Sequence, residues 1–167
     1  MELPKRKNVR LSGYDYGENG AYFVTICTKP RLPRFGVVRR GDPCGRPPVP
    51  PYVELTELGH IAEATFSYLE TQYHVSIPVF QVIPDHVHAI VVLEQRATAR
   101  VAPTLGQIIG GYKSKVFTQC LALCKEKNIT LGALWQRGYY EHVIRNQEDF
   151  DAAAEYILTN PTRNVEK

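Results

Sequence analysis

At 167 residues the chain is long enough for one domain with a buried core, and its 44% hydrophobic and 22% charged content excludes wholesale disorder. A formal net charge of +3 is too small to argue for nucleic-acid binding by itself. No signal peptide and no apolar run of bilayer-spanning length is visible, and the four cysteines form no C-x-x-C pair, so the expected compartment is a bacterial-type reducing cytoplasm without membrane contact.

Residues 1–20 are polar, carry Lys5, Arg6, Lys7 and Arg10, and end in a turn-prone Gly-Glu-Asn-Gly stretch. Residues 21–28 (AYFVTICT) are β-branched and aromatic, which predicts a strand. Residues 29–51 are basic, with Lys29, Arg31, Arg34, Arg39, Arg40 and Arg46 against Asp42 alone; this stretch and the N-terminal one each fit a solvated basic loop, but together they could bind phosphates. Within the 29–51 stretch, residues 40–51 are so rich in proline and glycine that neither a helix nor a central strand is possible; the expectation is a surface insertion without catalytic residues.

Thr56 is the expected N-cap of an amphipathic helix to about Tyr73, with Leu58, Ile61, Ala62, Thr65, Tyr68 and Leu69 on its inner stripe. His60 and His74 read as structural or exposed. Two strands follow, over residues 79–83 and 86–93, joined by a Pro84-Asp85 turn. Side chains alternate along a strand, so His86 and His88 share one face while Val87 turns into the core. Two imidazoles on a rigid face make half of a metal site, although His-x-His alone also fits a polar strand edge or a packed histidine.

Residues 94–103 are the expected linker. Thr104 caps a second helix with an inner stripe of Leu105, Ile108, Ile109, Tyr112, Val116, Cys120 and Leu123. Its Gly110-Gly111 pair weakens the helix and permits close approach of another element or a ligand. A short strand is expected over 139–144, where His142 shares a face with Tyr140 and Ile144 and suits a core as well as a site. The final helix opens at Asn146 with Asp149 assisting the cap, buries Phe150, Ala153, Ala154 and Ile157, and is expected to stop at Pro161. Tyr156 and Asn160, four apart, lie on one face beside that stripe. The order β–α–β–β–α–β–α predicts an α+β domain, an antiparallel sheet with helices packed on it, spanning residues 1–167.

Four segments in register, 22–28 (YFVTICT), 83–90 (IPDHVHAI), 135–145 (WQRGYYEHVIR) and 155–161 (EYILTNP), resemble the single-tyrosine HUH transposases, most of all the REP-associated tyrosine transposases. The resemblance covers nearly the whole chain apart from the Pro-rich insertion. It implies a ferredoxin-like or RRM-like sheet, with His86 and His88 as metal ligands on a central strand. It implies Tyr156 as the nucleophile on an adjacent helix and Asn160 as the third protein ligand. The implied cofactor is Mg²⁺ or Mn²⁺, since two imidazoles and an amide oxygen leave room for phosphate oxygens and water on an octahedral ion.

The implied substrate is single-stranded or hairpin DNA, met at the nucleoid by a monomer or a homodimer and cut through a 5′-phosphotyrosine intermediate. Lys113, Lys115, Arg137, His142 and Arg145 are the candidate DNA contacts. Family members usually continue past the Asn-Pro pair, whereas this sequence ends six residues after Pro161, which argues against a C-terminal target-recognition extension. Asp85 stands where Asn or Glu is common, a neutral exchange in a turn. Two alternatives remain at this level: a replication-initiator or relaxase-type nickase, and a domesticated DNA-binding module that no longer cuts.

Overall fold

The computed structural model describes residues 20–41, 50–93 and 103–163. In chain order the elements are β1 (Gly20–Cys27), β2 (Gly36–Arg39), β3 (Tyr52–Leu55), α1 (Glu57–Tyr73), β4 (Ser76–Ile83), β5 (His86–Leu93), α2 (Leu105–Glu126), β6 (Tyr140–Ile144) and α3 (Gln147–Arg163). The basic N-terminal residues, the centre of the Pro-rich run and most of the 94–103 linker lie outside the described residues.

An antiparallel four-stranded sheet has the order β4-β5-β1-β6. With α1 joining β1 to β4 through the ribbon, and α2 joining β5 to β6, this is the split βαβ arrangement of the ferredoxin-like fold. The expected α+β class therefore holds. The expected element order missed two strands, because β2 and β3 pair with each other as a separate ribbon flanking the Pro-rich run. Four-residue strands beside glycine and proline leave almost no periodicity to read.

Alternation along the strands divides the apolar residues between two cores. Tyr22, Val24 and Ile26 of β1 and Val87, Ala89 and Val91 of β5 face α1 and α2, in a core that also holds Phe66, Leu69, Ile108, Tyr112 and Val116. The opposite face carries Ile90 and Ile144, which pack with Ile157 of α3 and are flanked by Phe23, Val79 and Phe150. A register shift between Ser76 and Val79 changes the facing of β4 partway along, so Ile77 and Val79 serve different cores.

Caps follow the sequence expectation. The Thr56 side chain accepts from Gly59 N at the start of α1, and Thr104 with Gln107 forms a reciprocal capping box on α2. At α3, Asn146 Oδ1 accepts from Asp149 N at 2.8 Å. Three details differ. Tyr68 is 38% exposed, and Phe66 occupies the inner stripe of α1 in its place. Cys124, not Leu123, completes the buried stripe of α2. The last helix runs through Pro161 to Arg163, since the ring's fixed φ is helical and its missing N–H removes a single bond within the final turns.

Gly111 fulfils the expectation of close approach: a Cβ there would stand 2.1 Å from Tyr73 Oη, whereas one at Gly110 meets nothing within 4 Å. The two buried thiols of α2 are structural. Burial, with Cys124 nearby, pushes the Cys120 thiol up to about 12, which leaves it protonated and unreactive.

Candidate metal and phosphate site

His86 and His88 emerge from β5 on the face covered by α3 and are 7% and 4% exposed. Their Nε2 atoms lie 2.9 Å apart. Each ring is held from behind. His86 Nδ1 stands 2.6 Å from Asp85 Oδ1, and His88 Nδ1 stands 2.8 Å from Thr25 Oγ1, the residue paired with it across β1 and β5. A carboxylate accepts only, so the proton of His86 belongs on Nδ1 and its Nε2 carries a lone pair toward His88.

Burial, reinforced by neighbouring His86, holds the His88 imidazole down to about 3, so it is neutral at neutral pH. Burial alone would raise the Asp85 carboxyl, but hydrogen bonds from His86 and Arg31 outweigh it and bring the group to about 2.

Asn160 reaches the same point from α3. It is 5% exposed, and its Nδ2 lies 3.1 Å from His88 Nε2. A half-turn of the amide exchanges nitrogen for oxygen in that place. The donor set fits a divalent cation. Two imidazole nitrogens separated by 2.9 Å match the ~3 Å spacing of adjacent ligands around an ion with bonds of about 2.1 Å. The His86 Nε2 lone pair is satisfied either by a proton on His88 Nε2 or by a cation between the rings. Among the described residues no group of three His, Cys, Asp or Glu side chains is placed to hold a metal; the third side chain beside the two imidazoles is a carboxamide.

One helical turn before Asn160, Tyr156 stands over this floor at the rim, 37% exposed. Its ring meets His88 edge-on at 5.4 Å and Phe23 edge-on at 5.9 Å, while Phe23 and His88 stack at 5.3 Å. These groups open into a cleft of about 740 Å³ that Thr25, Cys27, Arg31, Tyr140, His142 and Asp149 also line. The cleft thus gathers His86, His88, Asn160 and Tyr156 of a single chain.

Of the candidate DNA contacts, His142 lines the cleft, 3.0 Å from both oxygens of Asp149. The others do not. Lys113 Nζ donates to Gln136 O and Gly138 O at 2.7 and 2.9 Å. Lys115 lies 4.5 Å over the Tyr68 ring, and Arg137 and Arg145 are exposed elsewhere. Thr25 and Asp85 went unnoticed as site residues in the sequence, and Arg31 stood there only as one of several cations that together could bind phosphates. Only Asp85, adjacent to His86, carried a local signal.

A family model described as "Transposase IS200 like" matches residues 55–160. A Haemophilus influenzae protein without a functional name is 29% identical over 93% of this chain and 88% of its own length. A second protein of that organism, named as a candidate REP-associated tyrosine transposase, is 23% identical over 92% of this chain and 78% of its own. Among solved structures, a REP-associated tyrosine transposase bound to a REP hairpin superposes with a TM-score of 0.53 at 20% identity, covering 92% of this chain and 74% of that one. A candidate transposase of Deinococcus radiodurans superposes at 0.52 with 14% identity, covering 91% and 98%. These structural likenesses concern the fold.

Proposed function

We propose a function from one premise: the chain belongs to the IS200-like transposase family. As a transposase of that family, it cuts and rejoins single-stranded DNA presented beside a hairpin, and Tyr156 is the nucleophile. The observation that carries this reading is the convergence of the Tyr156 ring, the paired imidazoles and the Asn160 amide in one cleft.

The Tyr156 oxygen attacks the phosphorus, the bond to the 3′-oxygen breaks, and that oxygen leaves as a 3′-hydroxyl after taking a proton. The phenol proton goes to solvent. The 5′-phosphate remains esterified to the tyrosine, which conserves the bond energy for a later 3′-hydroxyl to reseal the strand. His86, His88 and Asn160 would hold a Mg²⁺ or Mn²⁺ ion, which supplies polarisation of the phosphate and in-line alignment when bound.

The chain's own residues prepare this step. Asp85 and Thr25 fix the two rings from behind, so both Nε2 atoms are aimed without reorganisation. Phe23 wedges between the strand and the helix and holds the Tyr156 ring edge-on to His88. Tyr156 and Asn160 move together because one helical turn joins them. A paired duplex would have to melt to bring its backbone into a cleft between sheet and helix, which favours an unpaired strand. The hairpin is taken from the relative solved with a REP hairpin.

The test is a covalent adduct on a denaturing gel. A labelled hairpin oligonucleotide with a single-stranded flank, incubated with Mn²⁺, should yield a protein–DNA band. That band should disappear in Tyr156→Phe and in excess EDTA while the circular dichroism spectrum stays unchanged. An adduct that survives Tyr156→Phe, or salt-sensitive binding with no adduct under any divalent ion, would overturn the assignment.

A further inference from the structure

A DNA strand brings a negative charge with every phosphate, and an arginine meets that charge whatever the pH. Among the described residues lining the cleft, Arg31 is the one Arg or Lys side chain. It stands at the mouth with its side chain 54% exposed. Its Nε donates to Asp85 Oδ2 at 2.9 Å, while the other Asp85 oxygen meets His86 Nδ1. Asp85 is thus engaged twice on its inner side, and the terminal amino groups of Arg31 lie outside that bond.

The backbone is arranged for this placement. Arg31 has φ 61, a left-handed conformation that disfavours a residue with a side chain. It is retained by a bond from Arg31 N to Thr28 O at 2.9 Å. Thr28, fully buried, in turn donates its N to the Asp85 carbonyl at 2.9 Å, and its Oγ1 lies 2.9 Å from both that carbonyl and Leu32 O. Segment 28–31 and the β4–β5 turn are therefore one locked unit, and Arg31 is the part of it exposed to the cleft. An unfavourable backbone conformation next to a site is a reason to ask what it positions.

We infer that Arg31 is a phosphate-binding residue of this cleft, its guanidinium contacting a backbone phosphate of the bound DNA strand. The inference rests on the reading of Tyr156, His86 and His88 given under the preceding heading. It deepens that reading by naming the cation. Through Asp85, the contact is joined to the imidazole of His86, so phosphate recognition and ring orientation share one carboxylate. A planar guanidinium already held at Nε offers its remaining donors to phosphate oxygens with little ordering left to lose.

The experiment follows binding and leaves strand cutting aside. In Tyr156→Phe protein with EDTA present, fluorescence anisotropy of a fluorescein-labelled oligothymidylate is measured across a salt series. Arg31→Gln should lower the slope of log affinity against log salt by about 0.7, the value for one phosphate contact to a single strand. Arg31→Lys should retain the slope, because it keeps the charge while losing the Nε bond to Asp85. An unchanged slope in Arg31→Gln, or Lys and Gln variants that shift together, would overturn the inference and leave Arg31 as a lock on the turn. If the Arg31-intact protein shows no salt-dependent binding of the oligonucleotide, the reading on which the inference rests falls with it.

Discussion

Asp149 joins a strand, a loop and a helix through one carboxylate. It accepts from His142 on β6, 3.0 Å away, and from the backbone N of Arg145 at 3.1 Å, and it sits in the first turn of α3. The hydrogen bond from His142, followed by that from Arg145, holds its pKa below the ordinary 3.8. A depressed acid binds fewer protons folded than unfolded, so its stabilisation is complete above 3.8 and is lost as the pH falls through the lower folded value. The urea midpoint of the native chain should therefore fall more steeply with acidification below 3.8 than that of Asp149→Asn. Equal slopes in the two proteins would dissociate the carboxylate from stability.

Legibility at the residue scale was uneven for a physical reason. Spacing placed His86 and His88 on one strand face and Tyr156 and Asn160 on one helix face, and the family resemblance supplied their expected roles. Arg31 was one of six cations in a basic loop, and Thr25 one threonine in a strand. What makes each matter is a partner far along the chain, Asp85 or His88.

At the scale of elements, α2 shows how neighbouring identical residues acquire opposite roles. An alanine at either glycine gains helix propensity of up to ~1 kcal/mol. At Gly111 the new Cβ would collide with the Tyr73 hydroxyl and ring, and relieving such overpacking costs about 1–3 kcal/mol. Gly110→Ala should raise the thermal midpoint and Gly111→Ala should lower it. Two shifts of the same sign would show that Tyr73 yields without cost. The sequence flagged the pair as a place of close approach but offered no means of telling the two positions apart.

The same limit appears at the β2–β3 ribbon and at Pro161. Turn-forming residues masked two strands whose existence depends on their pairing with each other. The proline rule describes the helix interior, whereas Pro161 falls in the last turn of α3, where its missing N–H costs one bond and little helix follows it.

For the whole molecule, the two faces of the sheet are unequal. A large core joins α1 and α2 to one face, and a small cluster around Ile90, Ile144 and Ile157 seats α3 on the other. The proposed nucleophile and the Asn160 amide thus ride on the helix with the smaller apolar anchor. Ile157→Ala should cost about 2–4 kcal/mol. It should raise hydrogen exchange in α3 ahead of α1 and α2, because loosening is confined to the element that loses its contact. Uniform acceleration across all three helices would mean that both cores unfold as one unit. No described helix is long and apolar enough to span a membrane.

The sequence by itself determined what repeats over short distances: helix caps, the alternation that sets His86 and His88 on one face, and the helical step from Tyr156 to Asn160. Those are consequences of local backbone geometry. Tertiary structure alone decided that Thr25 faces His88 through strand register, that Arg31 meets Asp85, and that α3 closes over the imidazoles. Each depends on residues many tens of positions apart, brought together by burial of apolar surface on two faces of the sheet, and burial sets no spacing along the chain.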